Sequence, residues 1–161
     1  MNTHLQSATV ENSELYEQDY YLWMVTTVNL LRDRRWEQVD FEHLIEEIEA
    51  MGKEQRRELK NRLVVLLMHI LKYQHQVEKR SSSWVSTILE QSNQIEYLLE
   101  DSPSLKPYYL EIFPQCYNKA IRNASAETKL PVNAFPHDSA FSPEDVINSD
   151  FILALFNQDE I

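Results

Sequence analysis

The chain is poor in glycine and in cysteine, with one residue of each among 161. Phosphate-binding loops, dinucleotide-binding turns and all-β sandwiches need several glycines, so these classes are excluded. The single cysteine, Cys116, has no partner for an internal disulfide and cannot hold a zinc ion by itself. Since 43 % of the residues are apolar, the chain can bury a core, which excludes a disordered chain and a disulfide scaffold.

Long apolar segments are also absent. The longest one, residues 63–71, is interrupted by His69 and is far shorter than the roughly 20 residues that span a bilayer. Residues 1–11 contain no Lys or Arg and no apolar run, unlike a secretory or transit peptide. We therefore expect a reduced, cytoplasmic protein that does not associate with membranes.

The chain is acidic, with a formal net charge of −11. All 15 basic residues lie between Arg32 and Lys129, so both ends of the chain are purely acidic. Residues 53–80 hold eight basic and three acidic residues and form a local basic stretch. The overall acidity disfavours a broad, non-specific phosphate-binding surface, but it does not exclude nucleic acid, which is possible as a partner although nothing in the sequence indicates it.

Apolar residues recur at intervals of three and four along most of the chain, which predicts helices. A first helix is expected over residues 13–34, with Ser13 as its N-cap. A second is expected over residues 40–51, with Asp40 as its N-cap and Gly52 as the residue that ends it. The apolar side of this second helix consists of Phe41, Leu44, Ile45 and Ile48.

A third helix is expected over residues 53–73. Its first half is charged and its second half is apolar on all sides, which is typical of a central bundle helix or of an oligomer interface. The serines at 81–83 predict the start of a fourth helix. Ser102 and Pro103 are typical of an N-cap and the first helical residue, and they predict a fifth helix.

The fifth helix is expected to extend to about residue 128 and to be kinked or divided at Pro114. An extended loop over residues 131–141 and a short helix that begins at 142–145 complete the chain. The predicted fold is therefore an all-α, single-domain helical bundle of about five main helices with a short C-terminal helix.

The expected domain organisation has three parts. Residues 1–12 form a flexible N-terminus, and residues 13–130 form the helical bundle. Residues 131–161 supply the extended loop, the short helix and a tail, which are expected to pack back on the bundle.

His69, the one titratable residue in the apolar run, is the leading candidate for a catalytic role. Arg62 precedes it by seven residues, close to two helical turns, so the two share one face with Glu58. Such a stripe fits a general base, His69, beside a cation that holds phosphate. The Arg-x6-His spacing also resembles the Arg-x4–6-His signature of the helical HEPN ribonucleases. The alternative is structural, with His69 bonded to a core neighbour and Glu58 paired with Arg62.

The residues that follow the apolar run mix basic and aromatic side chains. Lys72, Lys79 and Arg80 are candidates for binding phosphate, with Tyr73 available to stack on a base. The alternative is that this segment is the solvated end of a long helix.

No metal site and no cofactor are expected. Glu42, Glu46 and Glu49 share one helix face, but a di-metal bundle needs Glu-x-x-His segments from facing helices. His43 and Glu46 stand in the reverse order in a single segment, so a solvated acidic face is expected instead. Cys116 lies in no nucleophile motif and is expected to be a small buried hydrophobe.

Six segments carry a resemblance to a known family: YEQDYYLW at 16–23, DFEHLIEEIE at 40–49, MGK at 51–53, LLMHILKY at 66–73, SSSW at 81–84 and DSPSL at 101–105. Over roughly residues 16–131 the chain resembles domain of unknown function family twenty-nine, small bacterial proteins that are abundant in cyanobacteria. Tyr73 stands where the family usually has Trp, and Ser83 lies in a stretch that is usually richer in Arg. The resemblance implies an all-helical fold and no established activity, cofactor or substrate.

Three functions stay open at this level. The first is a non-enzymatic helical module for protein interaction or oligomerisation, indicated by the apolar run at 63–71 and by the many aromatic residues. The second is a small RNA-acting or toxin-like enzyme that uses Arg62 and His69. The third is an acidic antidote or inhibitor that imitates nucleic-acid charge. We favour the first, with a second copy of the chain or another protein as its partner.

Overall fold

The computed structural model describes residues 12–157, and that part of the chain contains helices and no strands. Helix α1 covers residues 12–18 of the described chain. The later α-helices are α2 (Tyr20–Arg32), α3 (Phe41–His75), α4 (Ser82–Asp101), α5 (Lys106–Thr128) and α6 (Ser149–Phe156). The predicted all-α class is confirmed, and the number of helices roughly matches.

The two ends of the chain lie largely outside the described residues. Of the predicted flexible N-terminus, residues 1–12, the structure describes Asn12, which is helical and buried. The last part of the predicted C-terminal tail, residues 158–161, is likewise outside the description.

The chain divides after Glu54 into two compact units. The described part of the first unit is residues 12–54, and that of the second is residues 55–157. Helix α3 begins in the first unit and ends in the second. The domain boundaries expected from the sequence, at 12/13 and 130/131, stay a prediction.

In the first unit, the helix predicted over residues 13–34 is interrupted at Asp19, which corrects the prediction. The Asp19 carboxylate accepts a hydrogen bond from the Leu22 backbone N–H at 3.0 Å and so caps α2. A short acidic side chain that bonds a nearby backbone amide competes with helix continuation, which explains the break. Ser13 lies inside α1, so its predicted role as an N-cap was wrong.

The predicted break at Gly52 was also wrong, because α3 is continuous through it over 35 residues. Glycine ends a helix where the backbone needs a positive φ, and Gly52 does not have one. The residues after it are good helix formers, so the helix continues at a cost of about 1 kcal/mol relative to alanine. Asp40 does cap α3 as predicted, since its Oδ1 accepts from the His43 backbone N–H at 3.4 Å.

The second unit is built around the apolar half of α3. Leu59, Leu63, Leu66, Leu67 and Ile70 are completely buried there, which confirms the expected central position of this segment. Helices α4 and α5 pack their own apolar faces into the same core. The free thiol of Cys116 is buried in this core, as predicted, and burial raises its pKa.

The starts of α4 and α5 differ in how they are capped. The Ser81 hydroxyl accepts from the Trp84 backbone N–H at 3.4 Å, so the predicted start of α4 is confirmed. Ser102 occupies the N-cap position and Pro103 is the first helical residue, as predicted, although the first turn, Pro103–Leu105, is a 3-10 helix and the Ser102 side chain makes no capping hydrogen bond. Helix α5 then runs undivided through Pro114 to a left-handed residue, Lys129.

The segment after α5 is an integral part of the second core. Phe135, Phe141 and Val146 are buried before α6, and Ile152 and Leu155 are buried within it. Asn148 caps α6 by accepting from two backbone amides at 2.9 and 3.2 Å. These apolar side chains lie in the same core as the apolar half of α3.

Candidate functional site

Arg62 and Glu58 form an ion pair on one face of α3. The Arg62 Nη2 lies 2.8 Å from the Glu58 Oε1, and its Nε donates to the same oxygen at 2.9 Å. Its Nη1 donates to the Gln91 side chain of α4 at 3.2 Å. The Arg62 side chain is 26 % exposed, so a phosphate that reached it would compete with the Glu58 carboxylate.

His69 lies two turns further along α3 and is half-buried. Its Nδ1 is 2.9 Å from the backbone carbonyl of Val65, one turn earlier. A carbonyl oxygen only accepts hydrogen bonds, so Nδ1 carries the proton and Nε2 holds the lone pair of the neutral ring. The ring is therefore oriented by its own helix.

The predicted stripe brings together Glu58 and Arg62 but keeps His69 apart from them. Seven residues of helix separate Arg62 from His69 by about 10 Å along the axis. In the neutral ring, the Nε2 of His69 is the nitrogen that could accept a proton from a substrate. A substrate that used both groups would have to span two helical turns.

Lys72, one of the predicted phosphate ligands, has its charge occupied within the second unit. Its side chain is only 8 % exposed, and its Nζ lies 2.5 Å from Oε2 of Glu127. The ammonium also lies 4.5 Å from the centre of the Trp84 ring, which is a cation–π contact. A phosphate that bound Lys72 would therefore have to compete with the Glu127 carboxylate for a largely buried ammonium.

Arg80 is also engaged with its own chain. Its Nε donates to the Tyr73 carbonyl at 2.8 Å, and its guanidinium lies 4.2 Å from the centre of the Tyr73 ring. Lys79 is exposed in the short 3-10 helix Val77–Lys79. Tyr73 is buried and covered by Arg80, so this arrangement does not present the ring for stacking on a base.

The first unit holds a polar cluster that sequence reasoning missed. The His43 Nδ1 lies 2.6 Å from Oδ2 of Asp40 and 3.5 Å from the Ser13 hydroxyl. The hydrogen bond to Asp40 raises the pKa of His43. Because Ser13 and Asp40 share one ring nitrogen, the three residues are not a catalytic triad, which needs them on opposite nitrogens.

Two tyrosines extend this cluster across α1, α2 and α3. The Tyr16 and Tyr20 hydroxyls donate to the two carboxylate oxygens of Glu47 at 2.5 and 2.7 Å. These bonds lower the pKa of Glu47 and raise that of Tyr16 to about 12. The Tyr16 ring also stacks on His43, with their centres 4.0 Å apart. The spacing of Asp40, His43 and Glu47 on one helix face was the available signal for this cluster.

Among the described residues, no group of three or more His, Cys, Asp or Glu side chains is arranged to hold a metal ion. Within the same range, no helix is long and apolar enough to cross a membrane.

The apolar side of the first half of α3 lies open at the surface of the first unit. Phe41, Ile45 and Ile48 are 46 %, 54 % and 60 % exposed, and Met51 is more exposed still. With Leu44 they cover about 120° of the helix surface at 100° per residue. We call this apolar surface, formed by Phe41, Leu44, Ile45, Ile48 and Met51, the α3 face. Glu42, Glu46 and Glu49 follow one edge of it.

Helix α2 in the same unit is apolar on two sides. Trp23, Thr27 and Leu30 are buried on one side. On the opposite side, Tyr21, Val25 and Val28 are exposed. The first unit therefore presents apolar surface on two of its helices.

The second unit has an open groove of about 900 Å³ that sequence reasoning did not predict. Ile121 and Arg122 of α5 line one side of it, and Pro131, Val132 and Phe135 line the other. The groove is formed by the loop that the sequence predicts as extended.

The family model described as Domain of unknown function DUF29 matches residues 15–152, which is most of the chain. The chain belongs to the DUF29 family. No curated protein and no solved structure matched it. The predicted resemblance is thus confirmed, and the matched range includes the polar cluster residues Tyr16 to Glu47, the α3 face and the stripe from Glu58 to His69.

Membership in the DUF29 family implies no activity, so the function is inferred from the geometry. In this DUF29 chain, the predicted cationic residues Arg62, Lys72 and Arg80 are bonded to groups of their own chain. The α3 face, by contrast, is a wide apolar surface that residues 12–157 leave exposed. It is the feature that most needs a functional explanation.

Proposed function

We propose that this DUF29 protein is a non-enzymatic interaction module that binds another protein through the α3 face. One observation carries the proposal: Phe41, Ile45 and Ile48 form a helix face of the width that normally packs on a core, and it is exposed. Burying one such side chain yields about 1.5–3 kcal/mol. A few such residues commonly carry most of the binding energy of a protein interface.

The proposed setting is the cytoplasm. Its support is the single cysteine, which is buried and free and has no partner for a disulfide.

The test compares two variants of equal polarity. Ile45→Gln with Ile48→Gln changes the α3 face, and Tyr97→Gln with Leu110→Gln changes exposed apolar residues of the second unit. We expect the first pair to abolish association, measured by sedimentation across concentration and by recovery of bound protein from the source cell. The second pair should leave association intact. A wild-type protein that stays monomeric and retains no partner would contradict the proposal.

A second proposal is an RNA-acting enzyme that uses Arg62 and His69. It is supported by the bond from His69 Nδ1 to the Val65 carbonyl, which fixes the ring and leaves Nε2 as the nitrogen available for base catalysis. Purified protein should then cleave RNA, and His69→Ala should abolish cleavage without lowering the melting temperature. If His69→Ala only lowers the melting temperature, the histidine is structural.

A further inference from the structure

Gly52 is the single glycine of the chain, and nothing within the described chain requires it. It lies in the interior of α3, where glycine is less favourable than alanine. Its φ is not positive. A Cβ atom added there would meet no neighbouring atom within 4 Å. The usual reasons for a glycine inside a helix, a special backbone angle or a crowded contact, are therefore missing.

Gly52 lies on the α3 face. Counting 100° per residue from Phe41, the residues Ile45, Ile48 and Gly52 all fall within about 40° of it. Gly52 thus lies at the end of an exposed apolar stripe, and no side chain projects from the helix there. The distance between two packed helices is set by the side chains at the contact, so a second helix can approach most closely at such a point.

The charge around the α3 face favours a basic partner. Glu42, Glu46 and Glu49 follow one edge of the stripe beside Phe41, Ile45 and Ile48. Lys53 and Arg56 lie on the same edge beyond them, next to Gly52. Over residues 12–54 there are eleven acidic and four basic residues. A second copy of the chain would bring the same acidic surface to the interface, and like charges would repel. A helix that carries lysine or arginine beside its apolar side would be attracted instead.

We propose that the α3 face binds a basic amphipathic helix of another protein, which packs closely over Gly52. This inference rests on the proposed interaction function and identifies the chemistry of its partner. The partner's apolar side chains cover Phe41, Ile45 and Ile48, and its basic side chains lie beside Glu42, Glu46 and Glu49. The glycine provides the closest point of approach between the two helices.

The probe is a synthetic 21-residue helical peptide with leucine at the a and d heptad positions and lysine at the exposed positions. A matched peptide carries glutamate in place of lysine. Binding is measured by fluorescence anisotropy with the full chain at several salt concentrations. We expect the lysine peptide to bind at least tenfold more tightly than the glutamate peptide, and its affinity to fall as salt rises.

Substitution of Gly52 distinguishes close helix packing at this residue from non-specific apolar binding. Gly52→Ala and Gly52→Leu should both raise the melting temperature, because the site is open and both residues favour helix. We expect Gly52→Ala to weaken the lysine peptide severalfold and Gly52→Leu to weaken it more than tenfold. Ala50→Leu, on an exposed position of the opposite side of α3, is the control and should leave affinity unchanged.

Several outcomes would overturn the inference. Equal binding of both peptides, or no binding of either, removes the basic helix as the partner. Tighter binding of the lysine peptide to Gly52→Leu would mean that the added side chain only enlarges a surface for non-specific apolar binding. Concentration-dependent self-association that Ile48→Gln abolishes would make a second copy the occupant, and the proposed interaction function would still stand. If Ile45→Gln with Ile48→Gln changes no association at all, the proposed function itself fails.

Discussion

At the scale of single residues, the candidate cations Arg62, Lys72 and Arg80 are bonded to groups of their own chain. Lys72 is the clearest case, since its ammonium lies between the Glu127 carboxylate and the Trp84 ring with little exposure. The sequence places Lys72 at the end of an apolar run, where it resembles a phosphate ligand. In the structure its partner is Glu127, 55 residues away in sequence.

The Lys72 contact predicts an unequal response to substitution. Glu127→Ala leaves a buried ammonium without its partner and should lower the free energy of unfolding by about 1–2 kcal/mol, with Glu127 half exposed. Lys72→Met removes the charge and retains a side chain of similar length, so it should cost less. Urea unfolding of both variants and of the double variant measures the difference. A larger loss for Lys72→Met would contradict this account.

At the scale of elements, the contact of α1 and α2 with the start of α3 is polar and titratable. Tyr16 and Tyr20 hold Glu47, and Asp40 holds His43. Because Asp40 raises the pKa of His43 above its ordinary value of 6.5, protonated His43 stabilises the folded first unit. This stabilisation is complete below pH 6.5 and is lost as the pH rises through the folded pKa.

The pH dependence of unfolding should therefore differ in sign between His43 and His75. His43→Gln should remove the part of the stability that wild-type protein loses above pH 6.5. His75 is the control, because burial lowers its pKa and the stability linked to it is lost as the pH falls below 6.5. Urea unfolding of His43→Gln and His75→Gln between pH 5 and pH 9 tests whether the two histidines change stability in opposite directions with pH. A His43→Gln protein with the same loss above pH 6.5 as wild type would contradict the assignment.

At the scale of the whole molecule, the acidic C-terminal segment is part of the folded second unit. Phe135, Phe141, Val146, Ile152 and Leu155 belong to the core of the second unit. Ser92 of α4 also donates to the Val146 carbonyl at 2.8 Å. Removing residues 130–161 as a test of the antidote hypothesis would therefore disturb the fold as well as the charge.

Deletion of residues 145–161 should unfold the second unit. Val146, Ile152 and Leu155 are buried, and loss of each such side chain costs about 2–5 kcal/mol, so the sum is comparable to the whole stability of a domain. Circular dichroism and hydrogen exchange of α3 to α5 measure the effect. Replacing Asp150 by Asn, an exposed acidic residue of α6, is the control and should leave exchange unchanged. Native exchange in the deleted protein would contradict the prediction.

Much of this fold follows from local patterns in the sequence. Apolar spacing places the helices, and Asp40 and Ser81 cap α3 and α4 as predicted, because a cap needs only residues three positions apart. The family resemblance and the burial of Cys116 also follow from the sequence. The break at Asp19 and the continuity through Gly52 do not, since each depends on a balance of about 1 kcal/mol between competing local structures.

The candidate sites depended more on tertiary structure. The stripe of Glu58, Arg62 and His69 follows from helical spacing, but Gln91 and the Val65 carbonyl decide how its groups are held. The sequence by itself determined which residues share a helix face and what charge borders that face. Only the tertiary structure decided which faces are covered, because burial depends on residues far apart in the chain. That distinction separates Leu63 in the core from Ile48 on the open α3 face.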